Sequence, residues 1–242
     1  MKLKTMLAAA TMLTALDSHA GLVHQYELNG NLNDTLGGLA LTGSGVLDYQ
    51  HYNLANDQGL HLQYQIGPVY SIDMAFQFDE LGSYKRIMNF FDPRSSDYGL
   101  YASGNAATGT FRLYPNTHTG GNISLSTPTR LTLTRDAQSI FRMYVNGNLA
   151  ASIEDAANGY ANPGTRLVSF FEDGAKSSES PKGWVDYIRI YDNVLTGNEV
   201  YNLPGAVPGN PQVPADLPEP GSVALLLGGL GALGVLRRRR AA

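Results

Sequence analysis

The residues that could do chemistry in this 242-residue chain are few and poorly spaced for it. Acids stand side by side at Asp79-Glu80, Glu154-Asp155 and Glu172-Asp173. Retaining hydrolysis of a glycosidic bond needs two carboxylates about 5–5.5 Å apart across a sugar. Neighbours along a strand point to opposite faces, and all three pairs sit beside turn residues, so solvated loop carboxylates are expected. His24, His51, His61 and His118 show no metal-ligand spacing and read as hydrogen-bonded side chains on strands. There is no Gly-x-Ser-x-Gly elbow, no zinc-protease histidine pair and no phosphate loop. The absence of Cys excludes a disulfide framework, a Cys-ligated zinc, an iron–sulfur cluster and a Cys nucleophile. No catalytic set emerges, and no enzyme activity is expected.

Aromatic residues are the remaining candidates. Fourteen Tyr and one Trp make stacking on sugars possible, although aromatics also fill strands by propensity. Trp184, next to Val185 in an apolar run, is assigned to the core. The run Asp97-Tyr98-Gly99-Leu100-Tyr101 reads as a tyrosine-bearing strand entry, at the core or at its rim.

The elements that must position these residues are strands. Between 21 and about 203, apolar and polar residues alternate, with turn residues every 8–12 positions, as in a sandwich or barrel. Ser71 to Phe78 places Ile72, Met74, Phe76 and Phe78 on one face. Leu131 and Leu133 point inward, with Thr132 and Thr134 outward. Phe141 to Val145 leads into Asn146-Gly147, the dipeptide of a type I′ hairpin, and Leu149 to Ile153 returns. Leu167 to Phe171 and Trp184 to Tyr191 are two further strands. One short helix is expected, where Thr196 and Glu199 have capping-box spacing ahead of Val200 and Leu203. The fold class is all-β: a two-sheet antiparallel jelly roll with one short C-terminal helix.

The two ends differ from the body. Lys2 and Lys4, the apolar stretch Met6 to Leu16 and the small residues of Ser18-His19-Ala20 form a secretory signal peptide over 1–20, to be removed by signal peptidase. Prolines crowd the segment 204–217, which reads as an extended linker. Pro218-Glu219-Pro220 follows, then an apolar run from Ser222 to Leu236, then Arg237, Arg238, Arg239 and Arg240. That run is shorter than the roughly 20 residues of a comfortable membrane span; it can cross if the bilayer thins, with the arginines held on the cytoplasmic side. Six of the 17 basic residues lie in these terminal segments, against three of the 21 acids (Asp17, Asp216 and Glu219), so the body over 21–203 carries seven more acids than bases. An acidic body argues against a nucleic-acid partner, because a phosphate backbone demands a basic face.

The order Pro-Glu-Pro, short apolar helix and Arg cluster over 218–242 resembles the PEP-CTERM sorting signal. The resemblance implies a Gram-negative bacterium, transient anchoring in the inner membrane, cleavage by an exosortase, and release to the cell surface or exopolysaccharide matrix.

The body carries a second resemblance. Tyr26 to Asp34 is similar to the opening strand and loop of laminin-G-like, concanavalin A-like domains. Leu131 through Gly147 is similar to their central hairpin, and Gly183 to Tyr191 with Leu195-Thr196 and Glu199-Val200 to their last strand and closing helix. Hydrolases of this fold carry Glu-x-Asp-x-x-Glu on one strand, a string this sequence lacks. Their closing strand commonly has two adjacent acids, where this sequence has Asp186 followed by Tyr187. Many such domains hold one Ca²⁺ through loop carboxylates. The resemblance places Asp34 and Asp186 at adjoining ends of the sandwich, and these two are the candidate calcium ligands. The expected role is a non-catalytic module that binds glycan or a surface protein. The alternatives are a polysaccharide-active glycoside hydrolase with an unrecognised site and a purely structural matrix protein.

Overall fold

The computed structural model describes residues 21–91, 97–115, 118–156, 159–174 and 176–205. The signal peptide and the sorting segment therefore lie outside the described residues, as does the linker beyond 205.

The described residues form fifteen strands. The first seven are β1 (Leu22–Tyr26), β2 (Thr42–Gly43), β3 (Val46–Leu47), β4 (Tyr52–Leu54), β5 (Leu60–His61), β6 (Tyr70–Phe78) and β7 (Tyr84–Asn89). The others are β8 (Gly99–Gly104), β9 (Thr108–Tyr114), β10 (Thr119–Ser124), β11 (Thr129–Arg135), β12 (Ile140–Val145), β13 (Asn148–Glu154), β14 (Ser169–Phe170) and β15 (Gly183–Tyr191). A single 3₁₀ turn at Ser177–Glu179 precedes β15, and α1 (Gly197–Asn202) follows it.

All pairings are antiparallel and make two sheets. Sheet A runs β13-β12-β11-β6-β15-β4-β3, and β1 pairs the second half of β15. Sheet B runs β10-β9-β8-β7-β14-β5-β2. This is the expected jelly roll. The start and the end of the body meet, since Leu22 opposes Tyr191 and Tyr26 opposes Ile188.

Period-two alternation builds the core between the sheets. Ile72, Met74, Phe76 and Phe78 of β6 face it, as do Leu131 and Leu133 of β11, all fully buried. Phe76 packs on Phe78 at 4.9 Å and on Phe171 at 5.1 Å between ring centroids, in the tilted geometries aromatic pairs prefer. The strand expected over 167–171 shrinks to Ser169–Phe170. Phe171 takes φ +60°, a left-handed conformation uncommon for a bulky residue. The turn lets Phe170 and Phe171 both enter the core and brings Asp173 back over sheet B.

The Asn146-Gly147 hairpin is present, with φ +51° and +82°, as a type I′ turn requires. The capping box of α1 is also present: Thr196 Oγ1 accepts from the Glu199 N–H at 3.3 Å, and the Glu199 carboxylate accepts from the Thr196 N–H at 2.6 Å.

The middle of sheet A is buried on its outer face too. Thr132 and Thr134 point outward as expected, yet neither is exposed. Beside them Asp73 accepts hydrogen bonds from Arg130 Nε (2.9 Å), Thr132 Oγ1 (2.6 Å) and Tyr187 Oη (3.0 Å). Arg130 also donates to the carbonyls of Val200 and Leu203, fastening α1 across the sheet. Tyr144, Tyr191, Leu195 and Val200 complete a small apolar cluster beneath it.

Candidate functional site

The outer face of sheet B is where unlike side chains converge and a pocket opens. Register places Arg86 of β7 opposite Tyr101 of β8, and Tyr101 opposite Arg112 of β9. Side chains two residues apart share a face, which adds Tyr84 beside Arg86 and Tyr114 beside Arg112. The three tyrosine rings meet edge to face at centroid distances of 5.3 and 6.1 Å.

Arg86 is the fixed centre. It is fully buried, with its guanidinium carbon 4.0 Å from the Tyr101 ring centroid. Its Nη2 donates to Asp173 Oδ2 at 2.6 Å and also to Asp97 Oδ1. Two carboxylates 76 positions apart in the chain thus share one nitrogen and lie within two hydrogen-bond lengths of each other. Gly99 is required here: a Cβ on it would overlap Arg86 Nη1 and press on the Met88 carbonyl. Asp173 is itself held, because Lys176 N–H donates to its Oδ1 at 3.0 Å and its own N–H donates to Ser180 Oγ at 2.9 Å. Tyr101 donates to Asp97. Burial pushes the Tyr101 hydroxyl well up, Arg86 draws it down and the bond to Asp97 raises it again, so it remains a donor.

Above these residues lies a pocket of about 150 Å³ bordered by Tyr84, Asp97, Tyr101, Tyr114, Lys176 and Glu179. Its rim mixes aromatic faces with hydrogen-bonding groups. Lys176 pairs with Glu179 at 3.3 Å, which raises the lysine's pKa. Arg112 Nη1 donates to Tyr84 Oη at 2.6 Å.

Several sequence expectations are corrected. Asp155 and Asp173 are not solvated: both are buried, Asp155 against Arg135 Nε at 3.0 Å and Asp173 against Arg86. Trp184 is not in the core; it is half-buried on the outer face of sheet A, stacked on His51 at 4.2 Å. His24 and His61 are hydrogen-bonded as expected, to Asp34 (2.6 Å) and Glu172 (3.1 Å).

The calcium pair does not fit. Asp34 is buried, and its oxygens accept from the N–H groups of Gln25 (3.0 Å), Leu36 (3.0 Å) and Gly38 (3.1 Å) besides meeting His24 Nδ1. Burial pushes its carboxyl up, but these bonds outweigh burial and hold it below the ordinary range. A cation would face protein donors there instead of free lone pairs. Asp186 sits where the β15 register shifts between Val185 and Tyr187. Burial raises its carboxyl, against the pull of the nearby His51. Among the described residues no group of three or more His, Asp or Glu is arranged to hold a metal. The same bulge turns Tyr187 outward to donate to Asp73, so the acid beside this position comes from β6. Pro218, Glu219, Pro220 and Arg237 to Arg240 lie outside the described residues.

Sequence reading singled out Tyr101 and Asp173 only as members of their runs and missed Tyr84, Arg86, Arg112 and Tyr114. The available signal was the x-alternation in Tyr84-x-Arg86 and Arg112-x-Tyr114; nothing local marked these faces as neighbours.

The family model of the concanavalin A-like lectin/glucanases superfamily matches residues 55–201, more than half the chain, and this protein belongs to that superfamily. Residues 216–240 match the PEP-CTERM protein-sorting motif, which implies export and processing by an exosortase. No curated protein matches the chain by sequence. Among solved structures, domain 4 of AbnA, a GH43 extracellular arabinanase from Geobacillus stearothermophilus in complex with arabinotriose, is 17% identical with a TM-score of 0.56, over 75% of this chain and 97% of that one. Trypanosoma rangeli sialidase in complex with sialic acid is 14% identical with a TM-score of 0.61; the match spans 75% of this chain and 32% of the sialidase. The binding domain of botulinum neurotoxin serotype D is 13% identical with a TM-score of 0.52, over 74% of this chain and 50% of that one. At these identities the likeness is one of fold.

Proposed function

We propose that this protein is a non-catalytic glycan-binding module of a Gram-negative bacterium, released by an exosortase to the cell surface or exopolysaccharide matrix, and that it holds its ligand on the outer face of sheet B. The observation that carries the reading is the pocket bordered by Tyr84, Tyr101 and Tyr114 together with Asp97, Lys176 and Glu179. Sugar rings bind where an aromatic face and hydrogen-bonding groups converge, and few polar groups suffice to fix orientation. The volume is below the 300–1,000 Å³ of drug-sized sites, which suits one sugar unit entering from a longer chain. The arabinanase domain with its bound arabinotriose shows that a neighbour of this fold carries an oligosaccharide.

A hydrolase reading has one observation in its favour, the closeness of Asp97 and Asp173. Against it, Arg86 lies between them, and Asp173 is buried under Lys176 N–H and the guanidinium. Neither carboxylate stands across an open sugar site from the other, as the two-carboxylate mechanism requires.

A glycan array with the purified protein, followed by calorimetric titration of the best sugar, tests the binding reading. Binding that disappears in Tyr114→Ala supports it; an array with no binder, or equal binding in that variant, overturns it. Release of reducing ends from the same sugars, lost in Asp97→Asn, would establish the hydrolase instead.

A further inference from the structure

We propose that the ligand of the sheet B pocket carries an oxyanion, a carboxylate or a sulfate on its sugar ring, and that Arg112 is the residue that binds it. This deepens the glycan reading above and rests on it.

The warrant is the pairing of charges. Among the described residues every Lys and Arg except Arg112 and Arg166 stands within ion-pair distance of a carboxylate: Lys85 and Lys182 at Glu80, Arg86 at Asp97 and Asp173, Arg130 at Asp73, Arg135 at Asp155, Arg142 at Asp136, Lys176 at Glu179 and Arg189 at Glu27. Arg166 lies over the Phe91 ring at 4.1 Å. Among the described residues Arg112 has only a neutral partner, the Tyr84 hydroxyl. In a body with more acids than bases, a cation without a carboxylate is an exception, and this one stands on the same sheet face as the pocket, bonded to Tyr84 of its lining.

Its surroundings narrow the ligand. Arg112 opposes Tyr101 across the ladder, stands two residues from Tyr114 and bonds Tyr84, so the three pocket tyrosines surround it. Its Nε is buried and has no acceptor. Arg112 is only partly buried, and with Nη1 spending one hydrogen on Tyr84, the Nη1 and Nη2 edge of the guanidinium keeps donors for an incoming group. The carboxylates of the pocket already have cations, Asp97 on Arg86 and Glu179 on Lys176. A cationic ligand would find no unmatched acid, and a neutral hydroxyl would leave the guanidinium charge unmatched. A planar oxyanion takes two parallel N–H bonds from such an edge, the geometry in which arginine surpasses lysine.

The acidic body repels a long polyanion from a distance, so short probes isolate the local contact. Calorimetric titration of the purified protein would use a neutral glucotriose, the same trisaccharide bearing one glucuronate, and the same trisaccharide bearing one sulfate. Wild type is expected to bind at least one anionic probe about tenfold or more tighter than the neutral one, the size of one charge-assisted hydrogen bond. The two anionic arms tell carboxylate from sulfate. Arg112→Gln should abolish the preference, so that the anionic and neutral probes bind the variant with equal affinity. Arg112→Lys should keep part of the preference, since the charge stays and the planar edge is lost. Thermal melts matching wild type confirm that both variants are folded. Equal affinity for neutral and anionic probes, or a preference that survives in Arg112→Gln, overturns the anion assignment while glycan binding stands. Failure of all three probes and of every glycan on the array overturns both.

Discussion

The two outer faces of this sandwich use the same residue types to opposite ends. On sheet A, Asp73, Arg130, Thr132 and Tyr187 are all buried, and the bonds of Asp73 and Arg130 go to the sheet itself and to the end of α1. On sheet B, Arg86, Asp173 and Tyr101 are just as buried, but the network reaches the surface through Asp97, whose side chain is 42% exposed, and borders a pocket. A closed polar network fixes one arrangement of the chain. An open one holds a few groups rigid while leaving others for a ligand. Burial of Arg, Asp and Tyr is therefore not itself a mark of function here.

The largest expected effect comes from breaking the closed face. Asp73→Ala leaves Arg130 buried without its carboxylate, which costs about 3–5 kcal/mol. For a domain of this size that is a fall of roughly 10 °C or more in melting temperature. Differential scanning calorimetry checks it, and the comparison predicts that the folded fraction binds ligand as wild type does.

Gly99→Ala comes next. The added Cβ displaces Arg86, an overpacking change of about 1–3 kcal/mol. Here the open face itself is distorted, so calorimetric titration should show ligand binding lost at temperatures where the protein is still folded. Equal stability loss with intact binding would show that Arg86 serves the fold alone.

Two pH effects are smaller and of opposite sign. Asp34 has its carboxyl lowered by hydrogen bonds, so its contribution to stability is complete above the unfolded value near 3.8 and is lost as pH falls through the lower folded value. Chemical denaturation across acid pH should show this decline, and Asp34→Asn should flatten it. His61 has its pKa raised, chiefly by the hydrogen bond to Glu172, so its contribution is present below about 6.5 and fades as pH rises through the folded value. The imidazole is 42% exposed, so a few tenths of a kcal/mol at most is expected, read as the difference between wild type and His61→Gln from pH 6 to 8. The smallest effect is that of calcium. Raised to tens of millimolar at constant ionic strength, well above the range of extracellular sites, it should leave the melting temperature where a chelator leaves it. A shift abolished by Asp34→Ala would restore the metal reading.

What could be read in the sequence was local. Asn146-Gly147, the Thr196 and Glu199 cap and the alternation of β6 and β11 each specify their structure within a few residues, and all are present. What could not be read depends on pairing across distance. Asp173 meets Arg86 across 87 positions, and Asp73 meets Tyr187 across 114. A turn-flanked acid looks solvated until the strand that covers it is known. The same holds for Asp34: its loop position suggests a free carboxylate, and only the return of residues 35–38 under β1 shows three backbone N–H groups closing on it. The bulge at Asp186 shifts the parity of β15, so the alternation from Val185 onward cannot be counted through it. Arg112 and Tyr114 alternate visibly, but nothing near them announces that β7 and β8 bring Tyr84 and Tyr101 alongside.

The central claim is that ligand binds the open face of sheet B and not the closed face of sheet A. The most direct measurement is a calorimetric comparison of three variants against the sugar selected on the array: Tyr114→Ala on sheet B, and Trp184→Ala and Tyr201→Ala on the outer side of sheet A. All three side chains are at least partly exposed, so the fold should survive each change. The account predicts at least about a tenfold loss of affinity in Tyr114→Ala, the effect of removing one aromatic anchor, and wild-type affinity in the other two. Binding that survives in Tyr114→Ala and fails in Trp184→Ala or Tyr201→Ala would contradict it.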